Sequence, residues 1–149
     1  MEGGIKGVME EIFIKDIMTP NPIALDVEDN FSRVEEFLRT YNIRHLPIID
    51  KDGIVVGLIT QRDLYRICPP RRTLEGDLIY EKIRLDSFIL KYVMTKDVLT
   101  LSPNDTLGKA IRIMKATKYG CLPIVDENKK LVGIVTQIGL LRAVASFYK

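Results

Sequence analysis

Apolar and polar positions alternate along this chain with two different periods, and the switches between them mark its elements. Residues 23–27 form a short extended apolar segment entered through Pro20 and Pro22. Phe31, Val34, Leu38 and Tyr41 then recur at helical spacing, which predicts a helix with one face on a core. Two short apolar runs follow, 46–50 and 55–60, and read as strands. Lys51, Asp52 and Gly53 between them supply turn chemistry, so the pair reads as a hairpin. A second helix begins at Arg62 and runs to Ile67. Pro69–Pro70 stops it, because proline lacks the amide hydrogen and its ring clashes with the preceding turn.

The same order then returns. Leu107, Ala110, Ile111 and Met114 make a helical stripe, 131–136 is the second hairpin strand, and Ile138, Leu141 and Ala145 carry a final helix. These stripes are expected to be core. Residues 71–92 lie between the copies, and Ile79, Ile83, Phe88 and Ile89 there predict at least one helix packed on the body of the domain. Residues 7–16 predict a further helix or strand.

The recurrence is a true repeat. Residues 18–64 and 94–140 align without a gap at an offset of 76. MT opens both copies, LPIID (46–50) answers LPIVD (122–126), and VGLITQ (56–61) answers VGIVTQ (132–137). Two copies are too few for a solenoid, which needs about three repeats to bury a continuous core. The expected solution is a closed pair in which each copy covers the apolar face of the other, leaving two related clefts. The division of the chain follows: an N-terminal segment over 1–16, a first unit over 17–68, a connecting helical segment over 69–92, and a second unit over 93–149.

Composition changes this picture little. The chain has 149 residues, 46% apolar and 28% charged, which suits one compact domain; the strands and helices predicted above make its class α/β. A net charge of +2 with no dominant basic tract gives a nucleic-acid role little electrostatic support. Arg62, Arg66, Arg71 and Arg72 do gather locally, and Arg71–Arg72 also reads as solvated loop. No apolar run approaches the roughly 20 residues of a membrane-spanning helix, and residues 1–7 lack signal-peptide architecture. A cytoplasmic location is expected, with Cys68 and Cys121 as free thiols.

Catalysis finds little footing. There is one histidine, no metal-ligand cluster and no Gly-rich phosphate loop of the Walker type. Glu10–Glu11 and Glu35–Glu36 read as helix surfaces. His45 and Cys121 occupy equivalent positions in the two copies, but apolar surroundings leave such a cysteine unreactive. No enzyme activity is expected.

Taken together, MT, the helical stripe, LPI[IV]D, the glycine-bearing strand (Gly57, Gly133) and T-Q-x-x-L, twice and in order, resemble the CBS domain. The tandem resembles a Bateman module, the pair of CBS units that acts as one fold. That resemblance implies two β-α-β-β-α units packed by pseudo-two-fold symmetry through their sheets. It also implies a homodimer forming a four-CBS disc, and an adenosine-containing ligand (AMP, ADP, ATP or S-adenosylmethionine) in the cleft between units. No obligatory cofactor or metal is expected, and the partner is an unidentified effector protein.

By the same resemblance, the G-x-x-T-x-x-D pattern from Gly57 to Asp63 puts Thr60 near phosphate or ribose and Asp63 on the ribose diol. A charge-assisted hydrogen bond of this kind contributes roughly 1.5–3 kcal/mol. An aspartate in a first helical turn also stabilises the helix dipole by about 0.3–1 kcal/mol without any ligand. Both readings of Asp63 stand at this point. The competent cleft is expected to comprise Thr60, Arg62, Asp63, Thr95, Thr100, Tyr119 and Gly120, with Tyr119 against the adenine. Arg44 and His45 are suited to phosphate there or across the dyad. In the second copy glycine (Gly139) stands where the carboxylate would be, so the second cleft, with Thr19, Ala24 and Thr136, is expected to be weaker. Nucleotide sensor, S-adenosylmethionine module and ligand-free homodimerising scaffold remain the three readings of function.

Overall fold

A computed structural model describes residues 4–147. Its elements in chain order are helix α1 (Ile5–Glu11), a 3-10 turn (Ile14–Asp16), β1 (Thr19–Pro20), β2 (Leu25–Asp26), α2 (Phe31–Tyr41), β3 (His45–Ile49), β4 (Val55–Thr60) and α3 (Gln61–Ile67). There follow β5 (Arg71–Arg72), β6 (Leu78–Ile79), α4 (Lys82–Asp86), α5 (Leu90–Val93), α6 (Leu107–Ala116), β7 (Cys121–Val125), β8 (Leu131–Thr136) and α7 (Gln137–Ala145). The two longest helices start at chemically marked positions. Asn30 caps α2 by accepting the Ser32 N–H at 3.1 Å, and Asn42 ends it in the left-handed region at φ 51°. Thr106 caps α6 through the Lys109 N–H at 3.1 Å.

Two compact units result, and they cut across the sequence copies. One is continuous, Ile23–Val98; the other is split, joining the residues up to Pro22 to those from Leu99 on. In the continuous unit β2 runs parallel to β3, and β3 pairs antiparallel with β4. The free side of β4 is taken by Thr95, which exchanges two backbone hydrogen bonds of 3.0 Å with Leu58. The split unit repeats the arrangement. Leu101 lies parallel to Ile124 of β7, β7 pairs with β8, and Thr19 of β1 sits opposite Ile134 of β8. The opening MT segment of each copy therefore completes the sheet of the other copy.

Glycine gives this exchange its close contacts. A Cβ on Gly57 would collide with the Met94 side chain and come within 3.1 Å of the Thr95 carbonyl oxygen. In the split unit, a Cβ on Gly133 would collide with Met18. Each methionine thus lies over the bare backbone of a strand from the other copy.

The stretches preceding each MT prove equivalent too. Leu90 N–H donates to Asp29 at 2.8 Å as Ile14 N–H donates to Asp105 at 2.8 Å, and both side chains are fully buried. The repeat therefore begins well before Met18.

The core of the continuous unit holds Phe31, Val34, Leu38, Leu46, Ile48, Ile59, Leu64, Leu85 and Leu90. That of the split unit holds Ile14, Leu101, Leu107, Ala110, Leu122, Ile124, Val135 and Leu140. Three expectations need correcting. Tyr41 is half-exposed and rests edge-on against Phe37 rather than on the core. In the segment between the copies, Ile83 is 89% exposed and Ile79 is exposed, while Leu85 and Leu90 do the anchoring. In α7, Ile138, Leu141 and Ala145 face outward, and Leu140 is the buried residue. Its counterpart Leu64 anchors α3 in the same way, so these short helices hold on by the leucine of T-Q-x-x-L rather than by a long stripe.

Candidate functional site

The chemistry of the continuous unit concentrates where β4 hands over to α3. Thr60 is the last strand residue and the cap of the helix. Its Oγ1 accepts the Asp63 N–H at 3.1 Å, and Asp63 Oδ2 accepts the Thr60 N–H at 2.9 Å, a closed capping box. The sequence spacing T-x-x-D dictates this, since it places cap and N3 within one turn. Asp63 Oδ1 meets Arg66 only loosely, at 3.4 Å, and Arg66 is largely in water. An exposed pair of that length contributes little. Each carboxylate oxygen has two lone-pair directions, so Asp63 keeps accepting capacity after the box is made.

The neighbouring strand brings further polar groups to this junction. His45 lies directly opposite Thr60 in the β3–β4 ladder, and the Arg44 carbonyl accepts the Gln61 N–H at 2.9 Å. Burial lowers the His45 pKa first, and the Arg44 charge lowers it further, while Asp63 pulls the other way. His45 is therefore a neutral ring at pH 7 that senses both charges. Arg44 and Arg62 are exposed, and Thr95 lies on the far side of β4 from His45, two positions before Thr60 in register. One carboxylate, two free-standing guanidiniums, two threonine hydroxyls and an imidazole thus belong to one strand end. Such a set suits a ligand with hydroxyls to donate and negative charge to neutralise.

The remaining residues expected at this site lie in the split unit. Tyr119 is half-buried against that unit's core, its N–H on Thr117 Oγ1 at 3.3 Å. The Gly120 carbonyl accepts the Gln137 N–H at 3.1 Å, as Arg44 does for Gln61. Thr100 precedes the Leu101 bridge. Of the residues assigned to the weaker cleft, Thr19 and Thr136 belong to this unit and Ala24 to the continuous one. Thr136 caps α7 through the Gly139 N–H at 3.1 Å, but glycine returns no carboxylate, so only half of the box exists.

Cys121, the counterpart of His45, lies opposite Thr136 and is buried; burial pushes its thiol up to about 12. It is inert at neutral pH. Among the described residues no histidine, cysteine, aspartate and glutamate side chains gather to hold a metal ion, and no helix is long and apolar enough to cross a membrane. Sequence reasoning did not foresee the Met–Gly contacts of the exchanged segments, whose only signal was the constant distance between MT and the strand glycine.

The CBS-domain family model matches residues 14–69 and again 90–146. A homoserine O-acetyltransferase of Methanosphaera stadtmanae is 30% identical over 132 residues, 89% of this chain and 24% of that protein. The chain spans about a quarter of the length of the homoserine O-acetyltransferases and inosine-5'-monophosphate dehydrogenase it matches. Among solved structures, CBSX2 in complex with AMP shares 26% identity at a TM-score of 0.75, covering 93% of this chain and 99% of that one. The CBS domain pair of protein MJ0100, in complex with 5′-methylthioadenosine and S-adenosyl-L-methionine, shares 25% identity at a TM-score of 0.72 over 88% of this chain and 98% of that one.

Proposed function

This chain belongs to the CBS-domain family, and from that premise we propose that it is a regulatory module whose β4–α3 junction senses an adenosine phosphate, AMP, ADP or ATP. The observation that carries the reading is Asp63: its carboxylate closes a capping box and still has lone pairs for a ribose diol, with Arg44 and Arg62 on the same strand end. Support for the ligand class comes from similar proteins, one crystallised with AMP and another with methylthioadenosine and S-adenosylmethionine. The adenosine moiety is common to all three. What distinguishes them is charge: a phosphate is attracted to the arginines, whereas the sulfonium of S-adenosylmethionine is repelled. We therefore place the phosphate first and S-adenosylmethionine second. Occupancy acts on an effector through a change in packing, which requires different affinities for the two arrangements, and the assembly that does so is a homodimer in this proposal.

Calorimetric titration with AMP, ATP and S-adenosylmethionine tests the reading. A micromolar Kd, about −8 kcal/mol, is expected for the preferred nucleotide. Asp63→Ala is a poor probe, because losing the box costs about 1 kcal/mol of helix stability by itself. Asp63→Asn keeps an acceptor for the Thr60 N–H but removes the charge. It should weaken AMP by about tenfold to a hundredfold, the value of a charge-assisted bond, while the apo form loses no more than the roughly 0.3–1 kcal/mol of the helix-dipole contribution. Wild-type affinity in Asp63→Asn would overturn the assignment.

A further inference from the structure

The other end of α3 carries a feature that the nucleotide reading does not use. After α3 the chain runs through Cys68 and the proline pair into the β5–β6 hairpin, and returns through Tyr80 to α4. These stretches enclose a pocket of about 230 Å³. Its apolar wall is Leu85 with the prolines; its polar lining residues are Arg71, Arg84, Tyr80 and Glu81, and Cys68 also lines it. Arg71 is already neutralised by Glu81 at 2.9 Å. Arg84 faces the Cys68 thiol and has no carboxylate partner among the described residues. Burial raises the Tyr80 pKa, so its phenol stays a neutral donor at pH 7. The pocket therefore offers one unmatched guanidinium, one hydroxyl and an apolar wall.

We propose that this pocket is a second ligand site, taking a small organic carboxylate with an apolar body. Size and charge both decide the class. Its volume lies below the roughly 300–1,000 Å³ of sites that enclose drug-sized ligands, which excludes a nucleotide and fits a monocyclic or short-chain acid. The guanidinium fork of Arg84 fits a carboxylate or a phosphate, but one unneutralised positive charge balances a single carboxylate and only half of a phosphate dianion, and the apolar wall favours an organic body. The site is separate from the Thr60–Asp63 junction: the two lie at opposite ends of a seven-residue helix, about 10 Å apart at 1.5 Å per residue.

The test is a pair of heteronuclear NMR titrations of the full chain at constant ionic strength, one with sodium benzoate and one with sodium phosphate. Benzoate should produce saturable shifts confined to the amides of Cys68, Arg71 and residues 80–85, with half-saturation of about 1 mM, a reasonable affinity for so few contacts. Arg84→Gln should weaken that binding at least tenfold (~1.4 kcal/mol), leave resonances elsewhere unmoved and leave the AMP titration as in wild type. Tyr80→Phe, which keeps the ring, should weaken it severalfold. Non-saturating or scattered shifts, saturation by phosphate in place of benzoate, or undiminished benzoate binding in Arg84→Gln would each overturn the proposal. Because AMP is titrated separately, failure here is distinguishable from failure at Asp63.

Discussion

His45 is the chain's only histidine, so its titration can be read without interference from another side chain of similar pKa. Folding lowers that pKa, through burial first and the Arg44 charge second, against the opposing pull of Asp63. The sign follows from linkage. Below the ordinary value of 6.5 the unfolded chain binds this proton more readily than the folded one, so stability is complete above about pH 6.5 and declines as pH falls toward the depressed folded value. Melting curves of wild type and His45→Gln should therefore diverge between about pH 7 and 5.5, the wild type losing stability on acidification and the variant losing less. Parallel curves would mean that His45 is not held in the neutral form. Asp63 shows the complementary lesson: its Oδ2 closes the capping box while Oδ1 keeps accepting capacity, so the proposed ligand role does not compete with the helix-stabilising one.

Among the elements, the two methionine–glycine contacts set a sharper test. Replacing a strand glycine by alanine gains about 0.5–1 kcal/mol of backbone entropy, while overpacking costs about 1–3 kcal/mol. At Gly133 every atom in the way belongs to the flexible Met18 side chain; at Gly57 the Thr95 carbonyl stands at 3.1 Å and cannot step aside. Gly133→Ala should accordingly be close to neutral, and Gly57→Ala should lower the melting temperature clearly. Adding Met94→Ala should recover only part of the Gly57→Ala loss, because the carbonyl remains. Equal losses at the two glycines would show that the backbone contact is immaterial. The sequence announced the helices and hairpins of the two copies, since alternation and i, i+3, i+4 spacing are local properties, but not the β5–β6 hairpin, where Arg71–Arg72 read as solvated loop; the T-x-x-D spacing that closes the Thr60–Asp63 box is equally local. It did not announce that α7 buries Leu140 in place of Ile138 and Leu141, because a two-turn helix fixed at one point has no stripe to read. Periodicity predicted a helix in residues 71–92 but not its anchors, although FILKYVMT at 88–95 and IFIKDIMT at 12–19 carry the repeat upstream of Met18.

For the molecule as a whole, the exchange of opening segments means that sequence copies and folding units are different objects. A repeat aligned without gaps invites the assumption that each copy folds on itself, and pairing partners far apart in sequence are what a single chain cannot display. The two cysteines report on this directly, Cys68 from the continuous unit and Cys121 from the split one, both buried. A chain lacking residues 1–22 removes the strand against β8, the buried Ile14 and the Met18 cover of Gly133, all from the unit that contains Cys121. By sequence alone the deletion should injure the first copy and expose Cys68. The structure predicts the reverse. Native-state thiol labelling of Cys121, whose folded pKa of about 12 makes it inert until its surroundings open, should accelerate at least about tenfold in the truncated chain, while Cys68 stays within about threefold of its intact rate. Faster labelling of Cys68, or no change at Cys121, would mean that each opening segment stabilises its own copy after all.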